Sequence, residues 1–108
     1  MAAIKSVTVH QLKEMIDAGT DFQLVDVREP VEFEIAQING LLIPLASVLE
    51  RADEITKDKM VVVHCRSGKR SETAIKALQQ HLGYDNLYNL EGGIMAWAAQ
   101  IDPSLQVS

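Results

Sequence analysis

Short apolar runs alternate along the chain with segments whose apolar residues recur every three or four positions. The runs predict β-strands, and the recurring positions predict α-helices. Strands are predicted at residues 22–27, 41–43, 59–64 and 87–90. Helices are predicted from Thr8 to a stop at Gly19, from Pro30 to Ile35, from Ser47 to Glu54, from Ser71 to Leu82 and around Trp97. Strands that alternate with helices predict an α/β domain with a parallel sheet covered on both faces.

Three of these elements carry the clearest signals. Residues 59–64 form the strongest predicted strand, because their unbroken valines indicate burial on both faces. Residues 71–82 form the clearest predicted helix. Thr8 and Gln11 have the spacing of a capping box at the start of the first helix. The apolar face predicted for that first helix consists of Val9, Leu12 and Ile16.

The only cysteine, Cys65, directly follows the strongest strand and opens the loop Cys65-Arg66-Ser67-Gly68-Lys69-Arg70. The sulfur is therefore expected at the carboxyl end of a buried strand and the amino end of a helix. Such surroundings lower the pKa of a cysteine from about 8.5 by roughly one to several units. A lone cysteine is most often an inert apolar residue, but inert cysteines seldom lie among cations and a loop glycine. The sequence predicts a nucleophile that meets an anionic substrate.

Gly68 allows the loop to curl so that its amide N–H groups point inward as an anion-binding concavity. The amino end of the next helix adds roughly half a positive charge there. Ligands of parallel α/β sheets bind outside the carboxyl ends of the strands. Asp26, Arg28 and Glu91 also follow predicted strand ends. We therefore expect them at the same edge of the domain as the Cys65 loop.

Composition restricts the class of protein. The 108 residues fit one domain, with a core at about residues 4–101 and a loose tail after Pro103. The net charge of −5 argues against nucleic-acid binding. There is no second cysteine for a disulfide, no apolar core of a secretion signal and no run near the ~20 apolar residues that span a bilayer. We expect a cytoplasmic monomer without membrane contact.

Three motifs, in this order and spacing, resemble those of the single-domain rhodaneses, which are thiosulfate sulfurtransferases. They are Leu24-Val25-Asp26-Val27-Arg28-Glu29, the loop at 65–70, and Leu90-Glu91-Gly92-Gly93-Ile94-Met95-Ala96-Trp97. The resemblance extends over nearly the whole chain. It implies a single rhodanese-like domain with a central five-stranded parallel sheet flanked by helices on both faces. It also implies a ping-pong reaction through a persulfide of Cys65.

The expected reaction has two steps and needs no metal or organic cofactor. The Cys65 thiolate attacks the outer sulfur of thiosulfate and sulfite leaves, while Arg66 and Lys69 attract the dianion. A thiophilic acceptor, cyanide in an assay or a cellular thiol, then takes the sulfur. Because the chain has one thiol, a thioredoxin-like reductase or a low-molecular-weight thiol is an expected partner. The substrate-binding residues are predicted to be Arg66, Ser67, Gly68, Lys69 and Arg70.

The supporting residues are predicted to be Asp26, Arg28, Ser71 and Glu91, and Arg70 has two possible roles. Arg70 either contacts substrate or pairs with a carboxylate that holds the loop closed, and we expect a mixed role. Asp26 and Arg28 fit a strand-end ion pair better than catalysis. Ser71 is expected to cap the helix after the loop.

The three histidines are not expected to take part in the chemistry. His64 adjoins the nucleophile, but neighbouring side chains on a strand point to opposite faces, so it should project away from Cys65. His10 and His81 fit surface positions on separate helices. Three scattered histidines and one cysteine show no metal-ligand spacing.

One segment departs from the family pattern. The family commonly carries Gly-His-Ile-Pro-Gly-Ala where this chain has Ala36-Gln37-Ile38-Asn39-Gly40-Leu41. Gln37 and Asn39 replace the histidine and the proline, which alters the turn before the strand at 41–43. We expect the fold and the sulfur chemistry to survive, whereas the choice of acceptor stays open.

Two other classes of function remain as alternatives. A phosphatase or an arsenate reductase could use the same scaffold, but protein tyrosine phosphatases place five residues between cysteine and arginine. Four residues separate Cys65 from Arg70, and the tighter cradle favours a single sulfur over a tetrahedral phosphate. The other alternative is a non-catalytic rhodanese-like interaction module. Such modules commonly lack the cysteine, so the intact basic loop disfavours it.

Overall fold

The computed structural model describes residues 3–107, which form one five-stranded sheet with four α-helices. The strands are β1 (Lys5–Val7), β2 (Gln23–Asp26), β3 (Leu41–Leu42), β4 (Val61–His64) and β5 (Leu87–Leu90). The helices are α1 (Val9–Asp17), α2 (Pro30–Ile35), α3 (Lys69–Leu82) and α4 (Gly93–Gln100). All strand pairs are parallel, in the order β1-β5-β4-β2-β3. The predicted α/β fold with a five-stranded parallel sheet is confirmed.

Two apolar clusters, one on each face of the sheet, join the layers. Val63 of β4 belongs to one cluster together with Ile75 of α3. Its neighbour Val62 belongs to the other, together with Leu12 of α1 and Trp97 of α4. All four residues of β4 are buried, as the unbroken valines predicted. The central strand β4 is therefore packed on both faces, and this packing fixes the start of the loop that follows it.

The edge strand β1 is missing from the pattern-based prediction. It has three residues, and Lys5 and Ser6 are exposed while Val7 is buried. It pairs with β5 along one side of the sheet. A short edge strand with one buried side chain has no apolar run to detect, so the fifth strand was implied by the family resemblance alone.

The helix predicted from Ser47 to Glu54 is wrong. Two 3₁₀ turns, at Leu45–Ser47 and Ala52–Glu54, lie in this region. Val48, Ala52 and Ile55 are buried in the cluster with α3. Their spacing of four and three residues imitates a helix, but the backbone hydrogen bonds form two separate 3₁₀ turns in place of one continuous α-helix.

The ends of the chain show one confirmation and one difference. The capping box is confirmed, because Thr8 and Gln11 exchange hydrogen bonds of 2.8 and 3.1 Å. Ile16, however, is 44% exposed, so α1 buries a narrower face than predicted. Leu105 packs against the cluster that contains Trp97, while the domain bounds and the loose tail stay predictions.

Within residues 3–107 no helix has the length and apolar character needed to cross a membrane.

The start of α4 is fastened to the loop after β4. The amide of Ile94 donates to the carbonyl oxygen of Cys65 at 3.0 Å, and the amide of Met95 donates to that of Arg66 at 3.1 Å. Gly93 has a φ of +59°, and a Cβ there would lie 2.5 Å from the same two oxygens. Glycine is therefore required both by the backbone conformation and by the closeness of the loop.

Two ion pairs fasten α2 to its surroundings. Arg28 bonds the Asp26 carboxylate at 2.7 Å and the carbonyl oxygen of Ala36 at 2.7 Å, and both side chains of the pair are buried. Arg70, at the start of α3, makes a bidentate pair with Glu32 at 2.6 and 2.8 Å. The hydrogen bonds from Arg70 lower the pKa of Glu32 to about 2. These contacts join the carboxyl end of β2 to the loop that carries Cys65.

Replacing Gly93 by alanine should destabilise the fold far more than replacing Gly83. Gly83 also has a positive φ, +69°, but a Cβ there meets nothing within 4 Å. We expect Gly83→Ala to lower the free energy of unfolding by about 1–2 kcal/mol and Gly93→Ala by about 3–5 kcal/mol, because overlap adds to strain. Urea unfolding of both variants checks this. Equal losses would mean that α4 does not press on the loop.

The Glu32–Arg70 pair should make stability depend on acid. The pKa of Glu32 falls from 4.5 to about 2 on folding, so its contribution is complete above pH 4.5 and is lost as the pH falls towards 2. Since Arg70 is one-third exposed, solvent screening leaves a contribution of about 1–3 kcal/mol at pH 7. The difference in unfolding free energy between wild type and Glu32→Gln should shrink over that pH range. Glu34→Gln, which removes the same charge from an exposed side chain of α2, should change stability by less than about 0.5 kcal/mol.

Candidate active site

Cys65 is buried at the carboxyl end of β4, and its sulfur lies inside a ring of donors. The side chain is 1% exposed. Its Sγ accepts hydrogen bonds from the amides of Gly68 at 3.1 Å and Ser71 at 3.4 Å. The amide of Ser67 is a further donor, and the Ser71 hydroxyl lies 3.4 Å from the sulfur. The predicted concavity of inward amides is therefore present around Cys65.

The inward direction of these amides follows from the backbone. The carbonyl oxygens of Cys65 and Arg66 point to α4, and in a trans peptide the next N–H points the opposite way. This turns the amide of Ser67 towards the sulfur. Gly68, with φ +109°, then reverses the chain so that its own amide and that of Ser71 converge on the same point.

Hydrogen bonds favour the thiolate form of Cys65 although the side chain is buried. Burial by itself raises the pKa of the Cys65 thiol. The amides of Ser71, Gly68 and Ser67 lower it, as does the Ser71 hydroxyl when it donates to the sulfur, and these hydrogen bonds outweigh burial, so the pKa lies below its ordinary value. The lowered pKa favours the thiolate, which is the form of cysteine that acts as a nucleophile.

The cations of the loop have a smaller part in this than the sequence suggested. Arg70 is held by Glu32, which raises the pKa of Arg70, and the charge of Cys65 adds a weaker effect in the same direction. Of the two roles considered for Arg70, the structure shows the contact that holds the loop closed. Lys69 is exposed and Arg66 is half-buried. Their contact with substrate stays a prediction, as do the roles of Ser67 and Gly68 towards it.

Ser71 does not cap the helix, and this prediction is wrong. Helix α3 starts two residues earlier than the apolar pattern indicated, with Gly68 as its N-cap. Ser71 lies within the first turn, where its hydroxyl contacts Asn89 of β5 at 2.5 Å. The side-chain amide of Asn89 in turn donates to the carbonyl oxygen of Gly68 at 3.1 Å. Asn89 and Glu32 were missed by the sequence reasoning, although a polar residue inside the strand at 87–90 was a usable signal.

His64 is a buried side chain whose ring nitrogens lie near groups other than the Cys65 sulfur. Its Nε2 lies 3.7 Å from the Asp26 carboxylate, and its Nδ1 lies 3.4 Å from its neighbour's carbonyl oxygen. Burial lowers the pKa of His64, against a smaller opposing effect of Asp26. It therefore lacks the position of a general base for Cys65.

Glu91, the remaining predicted site residue, follows β5 and makes a different contact. The carboxylate of Glu91 accepts a hydrogen bond from Ser6 at 3.0 Å, beside β1.

In residues 36–41, the segment that departs from the family pattern, Asn39 has a φ of +70°, and its amide donates to the Gln37 side chain at 2.5 Å. These two residues thus build their own turn before β3. In the described part of the chain, no group of three or more His, Cys, Asp or Glu is arranged to hold a metal ion.

Comparison with known proteins gives one consistent result. The sequence model of the rhodanese-like domain matches residues 8–100. A protein named Sulfurtransferase from Allochromatium vinosum is 38% identical over 96 residues, which cover 88% of this chain and 89% of that protein. The crystal structure of a rhodanese-related protein from Thermoplasma volcanium matches with a TM-score of 0.79 and 35% identity, covering 90% of this chain and 93% of that one.

One similar protein is much longer than this chain. "Probable adenylyltransferase/sulfurtransferase MoeZ" of Mycobacterium tuberculosis is 33% identical over 103 residues, which cover 93% of this chain but 26% of that protein. The chain thus spans about a quarter of that relative. Both this relative and the Allochromatium vinosum protein carry the word sulfurtransferase in their names. By its sequence match and its fold, the chain belongs to the rhodanese-like domain family.

Proposed function

We propose that this protein transfers a sulfane sulfur from a small donor, with thiosulfate as the leading candidate, to a thiophilic acceptor through a persulfide of Cys65. The observation that carries the proposal is the convergence of the Gly68, Ser71 and Ser67 amides on Sγ of Cys65. These donors favour the thiolate. They also suit the sulfur anion that follows it.

In the first step the Cys65 thiolate forms a bond to the outer sulfur of thiosulfate. The sulfur–sulfur bond of the donor breaks, and its electron pair leaves with sulfite. The terminal sulfur of the new persulfide carries the negative charge, and amide N–H groups fixed in advance stabilise such a charge without reorganisation. Lys69 is exposed at the start of α3, and in this proposal its positive charge attracts the dianion.

In the second step an acceptor forms a bond to the terminal sulfur. The persulfide bond breaks, and its electron pair stays on Sγ of Cys65, which returns to the thiolate. The amides that lower the pKa of Cys65 make it a better leaving group in this step. We propose a low-molecular-weight thiol or a thioredoxin-like reductase as the cellular acceptor, and cyanide as an acceptor in assays, in a cytoplasmic setting.

The size and charge of the loop favour sulfur over phosphate in this proposal. Two amides contact Sγ directly, which suits a single additional sulfur. A phosphate group would call on the arginine of the loop for bidentate recognition, and both terminal nitrogens of Arg70 are bonded to Glu32. The hydrolase alternative is therefore the weaker one.

Incubation with thiosulfate should add the mass of one sulfur atom to the wild-type protein and none to Cys65→Ser. The serine variant keeps the fold but lacks a nucleophile that ionises near neutrality. Intact mass spectrometry makes the measurement, and added cyanide should remove the extra mass as thiocyanate. An aryl phosphate in parallel tests the hydrolase alternative. Retained turnover in Cys65→Ser, or hydrolysis of the ester without sulfur loading, would refute the assignment.

Lys69→Ala should weaken the use of thiosulfate more than the use of an uncharged organic trisulfide. An exposed charge contributes about 0.2–1 kcal/mol, so kcat/KM for thiosulfate should fall roughly 2–5-fold at low salt and less at high salt. Lys76→Ala removes a charge from an exposed side chain of the same helix and is the matched control. Equal losses with both donors would remove the electrostatic role of Lys69.

A further inference from the structure

The Ser71 hydroxyl lies between two groups that compete for its single proton. Its Oγ is 2.5 Å from Oδ1 of Asn89 and 3.4 Å from Sγ of Cys65. A hydroxyl can donate one hydrogen bond at a time, although it can accept others. The state of this proton therefore decides whether Ser71 acts on the sulfur as a donor or as an acceptor.

Chemistry fixes which atom of Asn89 faces Ser71. The other end of the amide lies 3.1 Å from the carbonyl oxygen of Gly68, which can only accept, so that end must be the NH₂ group. The carbonyl oxygen of Asn89 then faces Ser71 and also can only accept. In the arrangement observed, Ser71 gives its proton to Asn89 and presents a lone pair to Cys65.

Burial makes the competition strict. Ser71 is fully buried and Asn89 is 9% exposed, so water has little access to replace a lost partner. If the Ser71 hydroxyl turns to the sulfur, the oxygen of Asn89 is left buried without its donor, which is unfavourable. The amides of Gly68 and Ser71 are not part of this exchange, because each already points at Sγ.

We propose that Asn89 is a positioning residue that competes with the Cys65 sulfur for the proton of Ser71 and so sets how readily Cys65 ionises. While the sulfur is protonated, Ser71 accepts from the thiol and donates to Asn89. When the sulfur is negatively charged, the hydroxyl can turn to it only by giving up Asn89. Asn89 thus holds Cys65 less acidic than the ring of donors alone would make it.

A consequence for turnover rests on the proposed function. Sγ of Cys65 is negative before sulfur is loaded and neutral while it bridges to the terminal sulfur. The Ser71 proton would follow this charge, moving to Asn89 in the persulfide and back towards Sγ as the persulfide bond breaks. No proton enters or leaves the site in this exchange, because the hydroxyl only rotates.

The test compares the replacement of Asn89 with and without the Ser71 hydroxyl. The variants are Asn89→Leu, Ser71→Ala and the double variant, and the readout is the pH midpoint of Cys65 alkylation by iodoacetamide. The midpoint is used because the intrinsic reactivity of a thiolate falls with its pKa, whereas the midpoint reports ionisation alone. Loss of the Asn89 bond to Gly68 loosens the loop in both backgrounds, so the difference between backgrounds isolates the Ser71 proton.

We expect Asn89→Leu to lower the pH midpoint of alkylation further when Ser71 is present than when it is replaced by alanine. The difference between the two shifts should be roughly one pH unit, which is a tenfold change in the ratio of thiolate to thiol. Ser71→Ala alone should shift it by less than roughly half a unit. The same shift for Asn89→Leu in both backgrounds, or a higher midpoint when Ser71 is present, overturns the proposal. A purely structural role would produce the first of these.

Two further variants keep the outcome clear. Asn89→Ala replaces the leucine variant if circular dichroism shows that the latter does not fold. Asn86→Ala removes a side-chain amide that bonds the carbonyl oxygens of Thr56 and Lys59, and it should leave the midpoint unchanged. Because alkylation needs no sulfur donor, this inference and the sulfurtransferase function can fail separately.

Discussion

The site depends on the direction of the first peptide groups after β4. Helix α4 takes the carbonyl oxygens of Cys65 and Arg66, and this contact is possible because Gly93 has no side chain. With the Arg66 carbonyl turned towards α4, the amide of Ser67 must turn the other way, towards the sulfur. The amides of Gly68 and Ser71, brought round by the positive φ of Gly68, complete a set of donors that is fixed before any substrate arrives.

Charge is used around this loop mainly to hold elements in place. The Asp26–Arg28 pair is fully buried, and Glu32 engages both terminal nitrogens of Arg70. Two of the basic groups at this sheet edge are therefore neutralised by carboxylates from the same region of the chain. Neutral hydrogen-bond donors then carry most of the stabilisation of the thiolate. An amide donor acts at short range and is screened little by salt, so the reactivity of Cys65 depends little on the ions in the surrounding solvent.

The sequence predicted the elements whose signals are local, together with the position of Cys65. The valines of β4, the capping box at Thr8 and the position of Cys65 between a strand and a helix all require only neighbouring residues. The edge strand β1 and the turns around Val48 could not be predicted this way, because one buried residue gives no period and a bent segment imitates a helix. The resemblance of the three motifs to the rhodanese family implied the fifth strand, whereas the pattern of apolar residues did not.

The parts of the site that the sequence did not reveal are contacts between distant segments. Glu32 meets Arg70 across 38 positions, and Asn89 meets Ser71 across 18. In both cases one partner lay in the loop at 65–70 or directly after it and drew attention, while the other looked like an ordinary surface or strand residue. Ser71 shows the result most clearly. A serine after a loop is a good N-cap by local rules, but the positive φ of Gly68 starts the helix earlier and turns that hydroxyl inward. Once it is buried, the hydroxyl needs an acceptor, and the strand beside it supplies Asn89. A local rule thus failed at a residue in direct contact with the Cys65 sulfur, because the requirement to satisfy a buried polar group outweighed the preference for a cap.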